Sequence, residues 1–481
     1  MAVRHGWVEK FHDDEIIVQL PQLSVVLEAL RECGVRIGDR GVDENEALGL
    51  ARLHDLTGIE AAVRQLKDDP DVGQQVRAYR KLRRAAHPDA PPVSDLALLI
   101  QGLKLRLARR YPGWQIVIGK NYRPSLVRGN PHTDGDGAPA VTNEPYTGPV
   151  KQGDPHTDHA RPAPHTNAAR DPHTDHPHTD GEGEPTPADG PGTGPVMAPG
   201  PPTDARDQHL GQGVRIGLAD TRLFPHESLA GRYVGRAGDL LSPHQPVFTE
   251  FDGHCTFVAS CILRQAPAAT LYLRHVLDQH GDGSVWEAAA GLADLAPLDL
   301  DVVNLSFGQY MTDDDSAPMV LAAAVGTFGR DTVVVAAAGN NGDLSGSRPP
   351  DVPDGVTAST TSYPAALPGV VGVGAVDADN KRASFTPEDA PWISLLALGV
   401  DVNAAYLRGL VRLPQGGALT RFDGTANWAG CSFAAGVVSG VIAARTIPGQ
   451  RSAREARDEL VASLHQKPWS GLLINPELLI K

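Results

Sequence analysis

Cysteine, net positive charge and long apolar runs are all scarce in this chain. Cys33, Cys255, Cys261 and Cys431 are too few and too scattered for a disulfide framework, and no CxxC pair occurs. Reduced thiols are therefore expected. Lysine and arginine number 43 against 58 aspartates and glutamates, for a formal net charge of −15. Such a balance argues against nucleic acid or an anionic membrane as the main partner. No apolar run reaches the roughly eighteen residues of a membrane span. The opening "MAVRHGWVEKFHDDEIIVQL" carries acidic residues where a signal peptide would place its apolar core. Together these absences predict a cytoplasmic protein with no nucleic-acid or membrane partner.

What is present suits a soluble globular chain. At 481 residues, 41% hydrophobic and 21% charged, it has material for two or three domains with a buried core. Residues 1–128 read as a small α/β domain. "EIIVQL" and "WQIVIGK" have strand character, whereas "SVVLEALRECG", "IEAAVRQL" and "DLALLIQGLKLRLARRY" have helical spacing, with Gly34 as a stop.

Residues 129–205 differ sharply. "PHTD" recurs at 131–134, 155–158, 172–175 and 177–180 amid proline and glycine, with hardly a large apolar side chain. Such a segment cannot offset the entropy of ordering it, so a disordered linker is predicted. His173, His176 and His178 could ligate a transition metal, but their irregular spacing and the lack of cysteine argue against it.

From 206 to 481, the runs "GVRIGLAD", "ATLYLRHVL", "DVVNLSFG", "TVVVAAAGN" and "VVGVGAVD" are short and nearly continuously apolar. That pattern fits parallel strands buried on both faces. Helical stretches such as "SVWEAAAGLADL" and "APMVLAAAVGTFG" lie between them. Repeated βα units predict a parallel sheet sandwiched between helices, with chemistry at the carboxyl ends of the strands. Asp220, Asn340, His254 and Ser432 fall at those ends or at helix starts. Ser432, in "AGCSFAAGVVSGVIAA", could be an ordinary helix N-cap or a nucleophile at the positive end of a helix.

At these residues the sequence resembles the subtilisin-like serine proteases over about 212–481. "IGLADTRLFPHESL" resembles the family's aspartate motif, "DGHCTFVASCI" its histidine motif, "VVVAAAGNNG" its asparagine motif and "GCSFAAGVVSG" its serine motif. The order Asp, His, Ser also belongs to that family. The resemblance implies a serine endopeptidase with an acyl-enzyme intermediate. Asp220 would orient the base His254, Ser432 would attack, and Asn340 would donate to the oxyanion. Gly430 would permit a tight helix entry, with Ala434, Ala435 and Gly436 allowing close packing. Ser306, Phe307 and Gly308 resemble the segment that pairs with an extended peptide, and Ala337, Ala338 and Gly339 would wall the primary pocket. No charged pocket floor is visible, which favours apolar side chains before the scissile bond. No cofactor is implied. Calcium often accompanies the family, but no matching ligand cluster is legible here, so no metal is assigned.

Four departures stand out. Arg222 replaces a glycine, Cys255 a glycine, Phe257 a second histidine and Cys431 a threonine of the family pattern. Arg222 would be strained if its position needed a positive φ. Cys255 and Cys431 could form a redox switch or simply pack as small hydrophobes. His226 is expected to support its loop, and Asp401 and Asp423 to be turn or surface residues. The alternative to a protease is a catalytically weak or inactive subtilase fold that grips peptides. The N-terminal unit reads as a pro-domain or a retained recognition or regulatory module, and the repeats as a substrate of the protein itself or a scaffold for a partner.

Overall fold

The computed structural model describes residues 11–86, 93–123, 125–126, 196–197, 208–311, 318–344, 356–413, 419–466 and 472–474. Apart from Val196–Met197, the repeat-bearing stretch lies outside the described residues, and with it His173, His176 and His178.

The N-terminal unit comprises β1 (Phe11–Gln19), α1 (Leu23–Glu32), β2 (Val42–Asn45), β3 (Leu50–Leu53), α2 (Ile59–Asp68), α3 (Gly73–Ala86), α4 (Asp95–Arg110) and β4 (Ile118–Tyr122). Its strands form an antiparallel sheet in the order β2-β3-β1-β4. Gly34 ends α1 as expected, because its φ of 76° suits glycine best. The Ser94 hydroxyl starts α4 by accepting the Ala97 N–H at 3.2 Å.

Side chains alternate across a strand, and β1 uses both faces. Ile16 and Val18 join the unit's own core, whereas Ile17 joins the core of the larger domain. β3 repeats the division, with Ala51 and Leu53 on one side and Leu50 on the other. The apolar run "IIV" is continuous because both faces are covered.

Two short strands follow, β5 (Ser125–Leu126) and β6 (Val196–Met197). The larger domain then runs β7 (Arg215–Asp220), β8 (Tyr233–Val234), β9 (Phe248–Thr249), α5 (His254–Gln265), β10 (Thr270–His275), α6 (Val285–Leu295), β11 (Val302–Leu305), β12 (Phe307–Tyr310) and α7 (Met319–Val325). It continues through β13 (Val333–Ala337), β14 (Ser362–Tyr363), β15 (Val371–Val376), β16 (Ile393–Leu398), β17 (Val402–Arg412), β18 (Leu419–Trp428), α8 (Cys431–Arg445), α9 (Ala453–Gln466) and β19 (Leu472–Ile474).

The main sheet has the order β19-β16-β15-β13-β11-β7-β10-β8. Every neighbouring pair from β16 to β8 is parallel, and only the edge strand β19 is antiparallel. All residues of β11, β13 and β15 are buried, as the unbroken apolar runs predict for strands with helices on both faces. The α/β expectation holds.

Small residues let α8 lie against α5. A Cβ on Gly440 would stand 2.5 Å from the Ile262 carbonyl, and one on Gly436 would stand 3.2 Å from the Cys261 Cβ. Two further sheets flank this core, β14-β12-β5 and β6-β18-β17-β9. Among the described residues, no helix is long and apolar enough to cross a membrane.

Candidate active site

The parallel sheet delivers its polar residues to one edge. β7 ends on Asp220, β11 leads into Ser306, and β13 leads through Ala338 and Gly339 to Asn340. His254 opens α5, and Ser432 is the second residue of α8.

Asp220 is completely buried and accepts from two N–H groups, one of them shared between its oxygens. His254 Nδ1 donates at 2.8 Å to Oδ1 and 3.0 Å to Oδ2, and the Thr221 N–H donates at 2.7 Å. An ionised carboxylate can only accept, so Nδ1 must carry the hydrogen; in the neutral ring, Nε2 is then left as a proton acceptor. Thr221 braces the arrangement. Its hydroxyl donates to the Phe251 carbonyl at 3.1 Å and accepts the Cys255 N–H at 3.3 Å.

Aromatic rings fix the imidazole plane. Trp428 stands edge-on to His254 at 5.7 Å, and Phe433 lies 5.6 Å away. Phe257 packs on both, at 5.6 Å from Trp428 and 4.4 Å from Phe433. The phenylalanine that replaces the family's second histidine therefore completes an aromatic cluster around His254.

Ser432 does not cap its helix. The N-cap position is Gly430, and no side chain bonds there. A hydroxyl has one hydrogen to donate, and that of Ser432 goes to the Ser306 carbonyl at 3.1 Å rather than to the imidazole. The Ser306 hydroxyl answers by donating to the Ser432 carbonyl at 3.0 Å. Asn304 Nδ2 donates to Ser306 Oγ at 2.9 Å, and Ser439 Oγ donates to Asn304 Oδ1 at 2.9 Å. The end of β11 is thus tied to the first turns of α8. The structure joins Asp220 to His254 directly, and it sets Ser432 on the neighbouring helix with its hydroxyl turned aside.

Asn340 is held at both ends. Its N–H donates to the Tyr310 hydroxyl at 3.0 Å, and its Oδ1 accepts the Cys431 N–H at 3.0 Å. With Oδ1 committed, Nδ2 lies beside Gly430, 3.6 Å from where a Cβ on that glycine would stand. Gly430 itself has φ 165°, extended backbone open to any residue. A Cβ there would meet only ordinary contacts, 3.5 Å from the Phe433 ring at the nearest, so the tight entry does not depend on glycine. Ala337 and Ala338 are fully buried, and Gly339 has φ 115°, a region that L side chains rarely adopt.

The segment expected to pair with peptide already carries a strand. β12 binds β14 along one stretch and β5 along another, with Phe307 opposite Leu126 and Gly308 opposite Ser125.

The departures resolve individually. Arg222 is absent from the positive-φ residues and donates to the Gly238 carbonyl at 3.2 Å, so its loop carries no such strain. His226 accepts the Ser228 N–H at 3.1 Å, which supports its loop, and burial depresses its pKa. Asp401 accepts from Asn427 Nδ2 at 2.8 Å, and Asp423 lies on the exposed face of β18.

All four cysteines are free. Burial pushes the Cys255 thiol well above its ordinary value, and burial pushes Cys431, whose sulfur rests 3.6 Å from the Thr386 hydroxyl, up to about 12. A thiol at that value is about one part in ten thousand thiolate at pH 8, and the thiolate is the reactive form. Alkylation of the native protein at pH 8, mapped by mass spectrometry, is expected to leave Cys255 and Cys431 unmodified until the protein is denatured. Modification of either in the native state would revive the redox switch.

Thr221, Asn304, Tyr310, Trp428 and Ser439 escaped the sequence reading. Nothing in local spacing connects Asn304 to Ser439, because 135 positions separate them.

The sequence profile of the subtilase family matches residues 211–464. Subtilisin Savinase from Lederbergia lenta is 34% identical over 205 residues, 41% of this chain and 67% of that protein. An alkaline protease from Shouchella clausii is also 34% identical over 205 residues, covering 41% of this chain and 48% of that protein. A cold adapted subtilisin-like serine proteinase of known structure aligns at 21% identity with a TM-score of 0.40, covering 55% of this chain and 87% of that one. The matched region spans about two thirds of one relative's length and half of the other's. With the profile covering more than half of its length, this chain belongs to the subtilase family.

Proposed function

We propose that this chain is a serine endopeptidase that cleaves extended polypeptide. The observation that carries the reading is the buried Asp220–His254 pair, 2.8 Å apart, whose geometry leaves the imidazole Nε2 as the proton acceptor. In this reading the Ser432 hydroxyl leaves the Ser306 carbonyl and turns to His254, which takes its proton as Oγ attacks the scissile carbonyl. Asp220 holds the imidazole tautomer and stabilises the imidazolium. The oxyanion receives the Asn340 Nδ2 and the Ser432 N–H at the positive end of α8. His254 then returns the proton to the leaving amine.

Substrate would add as a strand to β12 at Ser306, Phe307 and Gly308, with Ala337, Ala338 and Gly339 walling the pocket that takes an apolar side chain. Carboxymethylated casein supplies the test. The full chain is expected to fragment it, and phenylmethylsulfonyl fluoride should abolish the fragmentation. Intact casein bound without cleavage would favour a peptide-gripping protein instead.

We further propose that the N-terminal unit restrains this activity. β5 occupies the β12 edge that substrate would use. Asn121 anchors the unit, since its Oδ1 accepts the Trp286 N–H of α6 at 3.1 Å while its Nδ2 donates to Glu15 at 2.6 Å. The Arg52 guanidinium adds a contact 5.8 Å above the Trp286 ring. Asn121→Ala leaves a buried N–H without its acceptor, a loss of about 1–3 kcal/mol in the docked state. The full-chain rate on a short chromogenic peptide is expected to rise about tenfold. An unchanged rate would argue for a unit that does not limit access. The repeats between the two units are a candidate first substrate, which intact-mass analysis of wild-type and Ser432→Ala chains would reveal.

A further inference from the structure

The strands that flank the repeats lie on two different sheet edges, and their directions match. β5 runs antiparallel to β12, from opposite Gly308 to opposite Phe307. It therefore heads towards Ser306, whose carbonyl accepts the Ser432 hydroxyl at 3.1 Å. β6 runs antiparallel to β18, from Val196 opposite Asn427 to Met197 opposite Ala426. It therefore heads away from Trp428, whose ring stands 5.7 Å from His254, and away from the start of α8. A single extended polypeptide bound across Ser432 has this same polarity, approaching the nucleophile with its N-terminal part and leaving with its C-terminal part.

We propose that Val196–Met197 is an intramolecular plug, which by pairing with the β18 edge at Ala426–Asn427 competes with the part of a polypeptide that follows the scissile bond. This rests on the protease reading above and extends it to the other side of the cut. Strand addition works through main-chain hydrogen bonds, so the edge takes extended chain of many sequences. The occupant lies on the same chain, so its pairing is intramolecular and needs no second molecule. It also lies after the repeats and is joined directly to the larger domain through the residues before β7. Cleavage within the repeats would free β5 from the larger domain but would leave β6 attached. Two restraints with different release conditions then act on one site, and the second falls selectively on long substrates.

Proline cannot donate to a strand ladder, so the double variant Val196→Pro/Met197→Pro removes the plug without touching the catalytic groups. Two substrates are compared in the full chain. One peptide continues well past the scissile bond, and the other ends in a chromogenic group directly after it. With one or two main-chain bonds at about 1 kcal/mol each, kcat/KM for the long peptide is expected to rise about tenfold. The short substrate should be cleaved at the wild-type rate, which also shows that the variant folds. An unchanged ratio of long to short rates overturns the proposal. If neither substrate is cleaved by the wild-type chain, the protease reading fails, and binding decides this inference separately. In the Ser432→Ala background, fluorescence anisotropy of the labelled long peptide should then show about tenfold tighter binding with the two prolines. Equal affinity overturns it.

Discussion

Ser432→Ala is expected to lower kcat on a peptide substrate by about 10⁶-fold, with KM nearly unchanged. That magnitude is the one established for subtilisin triads rather than one calculated from this chain. The reason for the size is that Asp220 and His254 have nothing to activate once the hydroxyl is gone, so their contribution disappears with it. Backbone and side-chain donors remain and should leave a residual rate of about 10³–10⁴ over water. The fold should tolerate the change. Ser432 contributes one neutral hydrogen bond, to Ser306, and Ser306 keeps its own donation to the residue 432 carbonyl. Stability is expected to fall by only about 1 kcal/mol, read from denaturant unfolding. A loss of activity smaller than about a hundredfold would mean that another group performs the attack.

Asn340→Asp is the second large effect. Aspartate keeps an oxygen where Oδ1 accepts the Cys431 N–H, so the start of α8 should remain tied to the end of β13. It replaces the Nδ2 donor with a carboxylate beside a developing oxyanion. Loss of one such donor costs about 10²–10³ in turnover, and the added charge can only increase the loss. The fall should appear in kcat and leave KM nearly unchanged, because the oxyanion exists only in the transition state and the intermediate. Asn340→Ala provides the contrast. It should lose similar activity and also destabilise the fold, since the Cys431 N–H loses its acceptor while the backbone donation to Tyr310 remains. Equal loss in kcat and in substrate affinity would place Asn340 in ground-state binding instead.

The large sheet was legible in the sequence because burial on both faces writes itself as unbroken apolar runs, as in "DVVNL" and "TVVVAAA". The four motif residues were legible through the family motifs they resemble, and they lie at or just past strand ends and in the first turns of helices. The orientation of Ser432 was not, since it depends on the Asn304–Ser306–Ser439 network assembled across the fold. The value of Phe257 was also hidden, because it lies in contact with Trp428 and Phe433, residues more than 170 positions away that have no local pattern. The plug at Val196–Met197 was missed for a different reason. Its surroundings are rich in proline and glycine, and a two-residue strand that pairs through its backbone leaves no side-chain period to read.

The central claim is that Asp220, His254 and Ser432 act as one chemical unit, although Ser432 here faces Ser306. Covalent capture by a fluorophosphonate, with the adduct mapped by mass spectrometry, tests this most directly. The wild-type chain should carry one adduct on the peptide containing Ser432. The His254→Ala chain, equally folded by circular dichroism, should react at least about a thousandfold more slowly. Labelling of Ser432 at the same rate with and without the imidazole, or no labelling of the wild-type chain at all, would contradict the account.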